Sequence, residues 1–245
     1  MSTGLHGKWV LITGASRGVG QQIALGLAGL GANLVLHSTS TSNQIQTKEM
    51  LRDYDIEVRS VHGDLASHES VSSFVAEAEQ LSGGIDILYN NAAIMTKEAP
   101  LFDTPIVDYE RSFQINVFSM IQICSFFAPK MMARGFGRII NVTSGIKDTP
   151  QLDAYSISKA AVDKYTRDLA VELDGTGVLA NTLDPGWCRT DLGGENAFND
   201  VSSVIPGALI PALLGNESFE APKGLLFAAQ DYTGIPLQIF CRSKL

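Results

Sequence analysis

Cysteine is scarce: Cys124, Cys188 and Cys241 are unevenly spread and odd in number, which argues against both a disulfide framework and a metal cluster. They read as reduced thiols packed as small hydrophobes, and no metal is expected. Basic residues are also few. The 18 Lys and Arg face 26 Asp and Glu, a formal net charge of −8, so the basic footprint that nucleic acid or an anionic membrane needs is missing. No unbroken apolar run reaches the ~18 residues of a membrane span, and the opening MSTGLHGKW lacks the charged and apolar regions of a signal peptide. A cytoplasmic protein without nucleic-acid or membrane partners is expected. Repeats and low-complexity tracts are absent as well. With 45% hydrophobic residues in 245, the chain can bury one large core, as a single α/β domain does.

What is present is an alternation of short apolar runs with amphipathic stretches. Residues 8–13 (KWVLIT), 33–37 (NLVLH), 57–62, 85–89, 138–143 (RIINVT), 178–183 (VLANTL) and 237–240 read as strands. Helical spacing follows the first of these, recurs over 67–81, 108–134 and 155–173, and is expected again over 217–229. Pro129 falls late in the long 108–134 helix, where it marks a place for a kink. Strands alternating with helices predict a Rossmann-like, doubly wound parallel sheet of about seven strands in one domain, 1–245. Its dinucleotide-binding part would cover roughly 8–142 and its catalytic and substrate part 143–245. The stretch 187–214, rich in Gly, Ala, Asn and Pro, reads as a mobile lid.

Chemistry concentrates in residues 141–159, NVTSGIKDTPQLDAYSISK. Ser144 sits where a buried strand would end, and Tyr155 and Lys159 stand at i and i+4, one turn apart on one helix face. A phenol with a reference pKa of about 10 is a poor acid–base group at neutral pH, and an ammonium one turn away would favour its anion. The plain alternative is that Tyr-x-x-x-Lys arises by chance on many amphipathic helices. Asn116 is the other polar residue of note, alone in the apolar run FQINVFSMIQICSFFA, and a core hydrogen bond to backbone would explain it equally well.

The first strand stops at Gly14-Ala15-Ser16-Arg17-Gly18-Val19-Gly20 and a helix follows. Strand, glycine turn and helix N-terminus together suit a pyrophosphate, which needs close backbone approach and free amide N–H groups. A cofactor with a free ribose 2′-hydroxyl is usually met by a carboxylate about twenty residues further on. None occurs between Ala32 and Lys48; Ser38, Thr39 and their hydroxylic neighbours stand there instead, and Arg17 supplies a cation. That set favours NADP(H) over NAD(H), although Ser/Thr runs are also ordinary loop material.

In this order and at this spacing, Thr13-Gly14-x-x-x-Gly18-x-Gly20, Asp64-Leu65, Asn90-Asn91-Ala92, Asn116, Ser144, Tyr155-x-x-x-Lys159 and Pro185-Gly186 with Thr190 resemble the short-chain dehydrogenases/reductases over essentially the full length. The resemblance implies that Tyr155 exchanges a proton with the substrate oxygen, that Ser144 positions that oxygen, and that Lys159 lowers the phenol's pKa and binds the nicotinamide ribose. Asn116 would hold a water in a relay to Lys159. It also implies cofactor contacts from Gly14, Ser16, Arg17, Gly18, Val19, Gly20, Ser38, Thr39, Asp64, Leu65, Asn91, Ala92, Pro185, Gly186 and Thr190, and assembly as a homodimer or homotetramer. Three features depart from the family: Ala93 where glycine is frequent, a Ser144-to-Tyr155 interval about two residues short, and an ending Cys241-Arg242-Ser243-Lys244-Leu245 without Asp-Gly-Gly.

The expected reaction moves a hydride between nicotinamide and a mostly apolar ketone or secondary alcohol. Ile94, Ile146, Pro150, Trp187 and Leu192 would form the substrate wall, with Trp187 equally readable as a core aromatic. Reduction of a 3-oxoacyl group on an acyl-carrier protein is a second reading; that acidic partner needs a basic patch, and only Lys130 with Arg134 suggests one. A nucleotide-sensing protein without turnover is a third.

Overall fold

The computed structural model describes residues 4–146, 148–215 and 224–236. Seven parallel strands form one sheet in the order β3-β2-β1-β4-β5-β6-β7. They are β1 (Trp9–Ile12), β2 (Asn33–Ser38), β3 (Val58–His62), β4 (Ile87–Asn90), β5 (Gly137–Val142), β6 (Val178–Asp184) and β7 (Leu226–Ala228). The helices are α1 (Gly18–Gly29), α2 (Ile45–Met50), α3 (His68–Ser82), α4 (Ile106–Phe113), α5 (Ser119–Arg134), α6 (Asp153–Glu172) and α7 (Ile210–Leu213).

Successive strand side chains point to opposite faces, and both faces are covered. Val10, Ile12, Leu34, Leu36, Ile87 and Tyr89 join α1 in one buried cluster; Leu11, Val35 and Leu88 join α3, α5 and α6 in the other. A sheet buried on both sides explains why its strands read as continuous apolar runs. The strand order reverses between β1 and β4, and in such sheets the crevice at the carboxyl ends of these two strands is where ligands bind. Asn90 Nδ2 donates to Asn141 Oδ1 (2.8 Å), tying β4 to β5 just below that crevice.

Five expectations need correction or qualification. The 108–134 helix is three segments, because a π-helical turn, Gln114–Phe118, separates α4 from α5 with Asn116 inside it. α5 runs through Pro129. By length and composition alone, Ile106–Arg134 would suffice to cross a bilayer, yet half of its most apolar window is buried within the fold. The expected lid divides in two: 187–203 is mostly exposed or half-buried, with Cys188 and Ala197 buried, whereas Val204, Ala208, Leu209, Ile210, Ala212 and Leu214 pack into the α1 side of the core. Apolar residues, not loop composition, decide that half, and the buried Tyr89 hydroxyl donates to Ala208 O (2.8 Å). The expected helix over 217–229 is replaced at Leu226–Ala228 by β7, whose backbone pairs with β6. Residues 217–223, the expected strand 237–240 and Cys241 lie outside the described residues.

Candidate active site

Glycine builds the floor of the crevice. Gly14 and Gly18 have φ of 66° and 59°, a region that costs a side chain strain, and a Cβ on Gly14 would lie 3.0 Å from Ala92 Cα. Gly20 has no room either, since its Cβ would strike the Gly14 carbonyl oxygen and come within 2.6 Å of Asn91 Nδ2. Thr13 organises the opposite side: its Oγ1 accepts from Asn91 N (2.9 Å) and Ala92 N (3.1 Å). Asn91 Nδ2 donates to Thr13 O (2.9 Å) and Gly14 O (3.3 Å), so its amide braces the glycine turn.

Above this floor lies a cleft of about 470 Å³. Gly14, Ser16, Arg17, Gly18, Val19, Ser38, Thr39, Asp64, Leu65, Asn91, Ala92, Ile94, Tyr155, Lys159, Pro185, Thr190 and Leu192 line it, all of them expected from sequence. Gly20, Asn116, Ser144 and Gly186 are not among the residues lining the cleft, although Ser144 is hydrogen-bonded to Tyr155, which is. Ile146, Pro150 and Trp187 are not part of it: Pro150 is exposed, and Trp187 is neither core nor cleft wall. Its indole N–H donates to Gly193 O (2.7 Å) and its ring meets Phe198 edge-on at 5.1 Å. His37, Asn43, Met95, Ile115, Thr143 and Asp191 line the cleft without having been expected. Five of these sit within one residue of an expected position, which is the signal available for them; Asn43 carried only its place in the hydroxyl-rich loop after the second strand.

The glycine cradle and open amide N–H groups at the start of α1 fit a dinucleotide pyrophosphate. The 2′ side is less simple. The Ser38 hydroxyl donates to Ser40 O (2.7 Å) and accepts from Gln44 Nε2 (3.0 Å), so both capacities serve the loop. Thr39 Oγ1 accepts from Asn43 Nδ2 (3.1 Å). Arg17 Nε pairs with Asp191 Oδ2 at 2.7 Å across the cleft mouth.

At the other end, Tyr155 and Ser144 share a hydrogen bond. Burial pushes the phenol up to about 12, Ser144 opposes the rise, and the Asp184 carboxylate adds to it. Burial outweighs the acidification expected from Lys159. Lys159 Nζ lies 5.7 Å from the phenol ring centre and donates to Val142 O (2.8 Å), and burial pulls the ammonium down to about 8 against the pull of Asp163. Asn116 makes the core hydrogen bonds to backbone that were one of its two readings: it accepts from Ile94 N (2.9 Å) and donates to Ile94 O (2.9 Å), and it also donates to Ser158 Oγ (3.0 Å). It fixes Ile94 in the cleft wall.

The short chain dehydrogenase family model matches residues 8–199. The chain belongs to the short-chain dehydrogenase family. Members bind a nicotinamide cofactor and are oxidoreductases, and this chain is one. A short-chain type dehydrogenase/reductase of Picea abies is 36% identical over 199 residues, covering 77% of this chain and 73% of its own. Among solved structures, the 3-oxoacyl (acyl-carrier-protein) reductase of Agrobacterium tumefaciens C58 with NADP bound superposes with a TM-score of 0.85 at 25% identity, covering 93% of this chain and 94% of that one. An NAD+-bound xylitol dehydrogenase gives 0.81 at 26% identity, covering 91% and 98%. Relatives thus carry either nucleotide, and the dehydrogenase fold alone does not choose between them.

Proposed function

We propose that this dehydrogenase is an NADP(H)-dependent carbonyl reductase acting on a mostly apolar ketone, or on the corresponding secondary alcohol in reverse. The observation that carries the reading is Tyr155: a buried phenol, hydrogen-bonded to Ser144, facing a cleft whose far end is the glycine turn. The bound nicotinamide supplies or accepts the hydride. A substrate oxygen takes the place between the two hydroxyls, and Tyr155 gives it a proton in reduction or removes one in oxidation. With its pKa near 12 the phenol carries its proton at neutral pH, which suits the reductive direction. Ser144 orients the substrate oxygen, and the Lys159 ammonium offsets negative charge as the phenol's proton leaves. Ile94, Met95, Ile115 and Leu192 make the wall apolar.

For the cofactor, the absence of a carboxylate after β2 and the presence of Arg17, Thr39 and Asn43 at the cleft support a 2′-phosphate. The acyl-carrier-protein reading draws support from the Agrobacterium relative but loses its basic patch. Lys130 pairs with Glu79 (3.6 Å) and Arg134 donates to Ile85 O, at the end of the sheet opposite the cleft.

The test is oxidation of NADPH and of NADH with a panel of aliphatic and cyclic ketones, followed by absorbance of the reduced nicotinamide. Turnover with NADPH preferred is expected, and Tyr155→Phe should lower it about 10²- to 10⁴-fold while cofactor affinity is retained. A protein whose melting temperature rises with NADPH but which turns over no ketone would be a nucleotide sensor instead.

A further inference from the structure

Lys159 is a buried ammonium, 3% exposed, whose hydrogen bond goes to an uncharged acceptor, Val142 O. A charge so placed requires a counter-charge or loses its proton. One turn further along α6, at i+4, stands Asp163, which continues the column begun by Tyr155 and Lys159. Its carboxylate accepts from the hydroxyl of Thr143, the residue before Ser144, and Lys159 O, 3.3 Å from that hydroxyl, is the competing acceptor for its single proton. Asp163 Oδ1 is buried without a hydrogen-bond partner. The carboxylate is thus held in place from β5 while keeping one oxygen uncommitted.

We propose that Asp163 is a positioning residue for the reaction, its carboxylate braced by Thr143 so as to keep the Lys159 ammonium charged beneath the cleft. The inference rests on the functional reading above. Other charges facing Asp163 are Arg167 on its own helix and Asp184 at the end of β6. Burial, with Asp184 adding to it, raises the Asp163 carboxyl above its ordinary value, and Thr143, Arg167 and Lys159 limit the rise. For Lys159, burial lowers and Asp163 raises. The sign follows: without Asp163, Lys159 gives up its proton at lower pH.

The experiment is the pH profile of kcat/KM for ketone reduction in wild type, Asp163→Asn and Asp163→Glu, with the ε-carbon titration of Lys159 followed by NMR in 13C-lysine-labelled protein. Wild type should lose activity as pH rises through about 8. In Asp163→Asn the limb and the Lys159 titration should both move roughly one pH unit lower, the lower end of the effect expected for an opposite charge within a turn. Asp163→Glu, which keeps the charge, should bring both back most of the way. Coincident limbs in wild type and Asp163→Asn, or equal displacement in Asn and Glu variants, would overturn the proposal, since packing alone would lower melting temperature without moving either pH value. If wild type turns over no ketone, the functional reading fails, and the Lys159 titration still decides the effect of Asp163.

Discussion

The Asp153 carboxylate accepts hydrogen bonds from the Tyr109 hydroxyl and from Thr104 Oγ1 (3.1 Å), so that α4 and the loop before it are fastened to the first turn of α6, two residues ahead of Tyr155. The loop so held carries Ile94 and Met95 into the cleft wall. Burial alone would raise the Asp153 carboxyl, but the bonds from Tyr109, Ala154 N and Thr104 outweigh it and hold it below its ordinary 3.8. Tyr109 responds in the opposite sense: its bond to Asp153, then burial, raise the phenol. Stability from the carboxylate is therefore complete above pH 3.8 and is lost as pH falls through the lower folded value. Melting temperatures measured from pH 7 down to 2 should fall more steeply in wild type than in Asp153→Asn below that point. Parallel curves would dissolve the link. Tyr109→Phe should also raise KM for ketone more than it lowers kcat, because the wall moves and the phenol of Tyr155 does not.

His37 contributes a second acid-sensitive element on the other side of the cleft. Its ring lies 4.2 Å from that of Phe74, with Nε2 3.2 Å from Gly63 O and Nδ1 buried without a partner. Burial lowers its pKa from 6.5 to about 4, with the Gly63 bond opposing and His62 adding. The folded state holds the neutral ring, so this stability is present above pH 6.5 and drains away as pH falls towards 4. The full difference is on the order of 3 kcal/mol. His37→Gln should lose stability at pH 7 yet show a flatter decline between pH 6.5 and 4 in urea titrations at stepped pH. An unchanged slope there would assign the decline to other groups.

Much of this site could be read from sequence because its signals are local. Gly14, Gly18 and Gly20 answer to one tight turn, and Tyr155 with Lys159 to one helix repeat, so spacing along the chain encodes geometry directly. Strand identity was legible for a similar reason: Val10, Leu11 and Ile12 are apolar because neighbours on both sheet faces bury them. The pair Asp153 and Tyr109 was not legible, since 44 residues separate them and each looks like ordinary helix surface. Neither was the burial of 204–214. Gly207, Pro211 and the alanines imitate a loop in composition, while the decisive fact is Leu209 pressing into the gap left by Gly26, where a Cβ would come within 2.8 Å of it. The direction of the Tyr155 shift also needed coordinates, because burial outweighs a lysine whose ammonium is committed to Val142 O.

Gly20 offers a test of the cradle that does not depend on the reaction. Its backbone is not in the left-handed region, so the constraint is space alone: an added methyl meets the Gly14 carbonyl oxygen and Asn91 Nδ2. Asn91 can give way, but the carbonyl belongs to the turn itself. Gly20→Ala should cost about 1–3 kcal/mol in denaturant unfolding, as overpacking does, and should weaken NADPH and NADH together. Wild-type affinity for both in a stable Gly20→Ala protein would mean that the turn does not shape the pyrophosphate site.

Arg17 and Asp191 supply the sharpest test of cofactor choice. The pair spans the cleft mouth at 2.7 Å, and both side chains are exposed, 68% and 74%. An exposed pair of this kind is worth about 0.2–1 kcal/mol, which a bound 2′-phosphate must outbid to recruit the guanidinium. Asp191→Asn releases Arg17 and should raise the ratio of NADPH to NADH affinity about 1.5- to 5-fold, the same energy expressed as binding. Arg17→Ala should move the ratio the other way, weakening NADPH far more than NADH. The double variant should resemble Arg17→Ala, because Asp191 acts on the 2′ side only through Arg17. Fluorescence titration of both reduced nucleotides against the four proteins closes the cycle. If Asp191→Asn instead tightens both nucleotides equally, its carboxylate acts on the shared pyrophosphate and Arg17 is not the group that selects NADP(H).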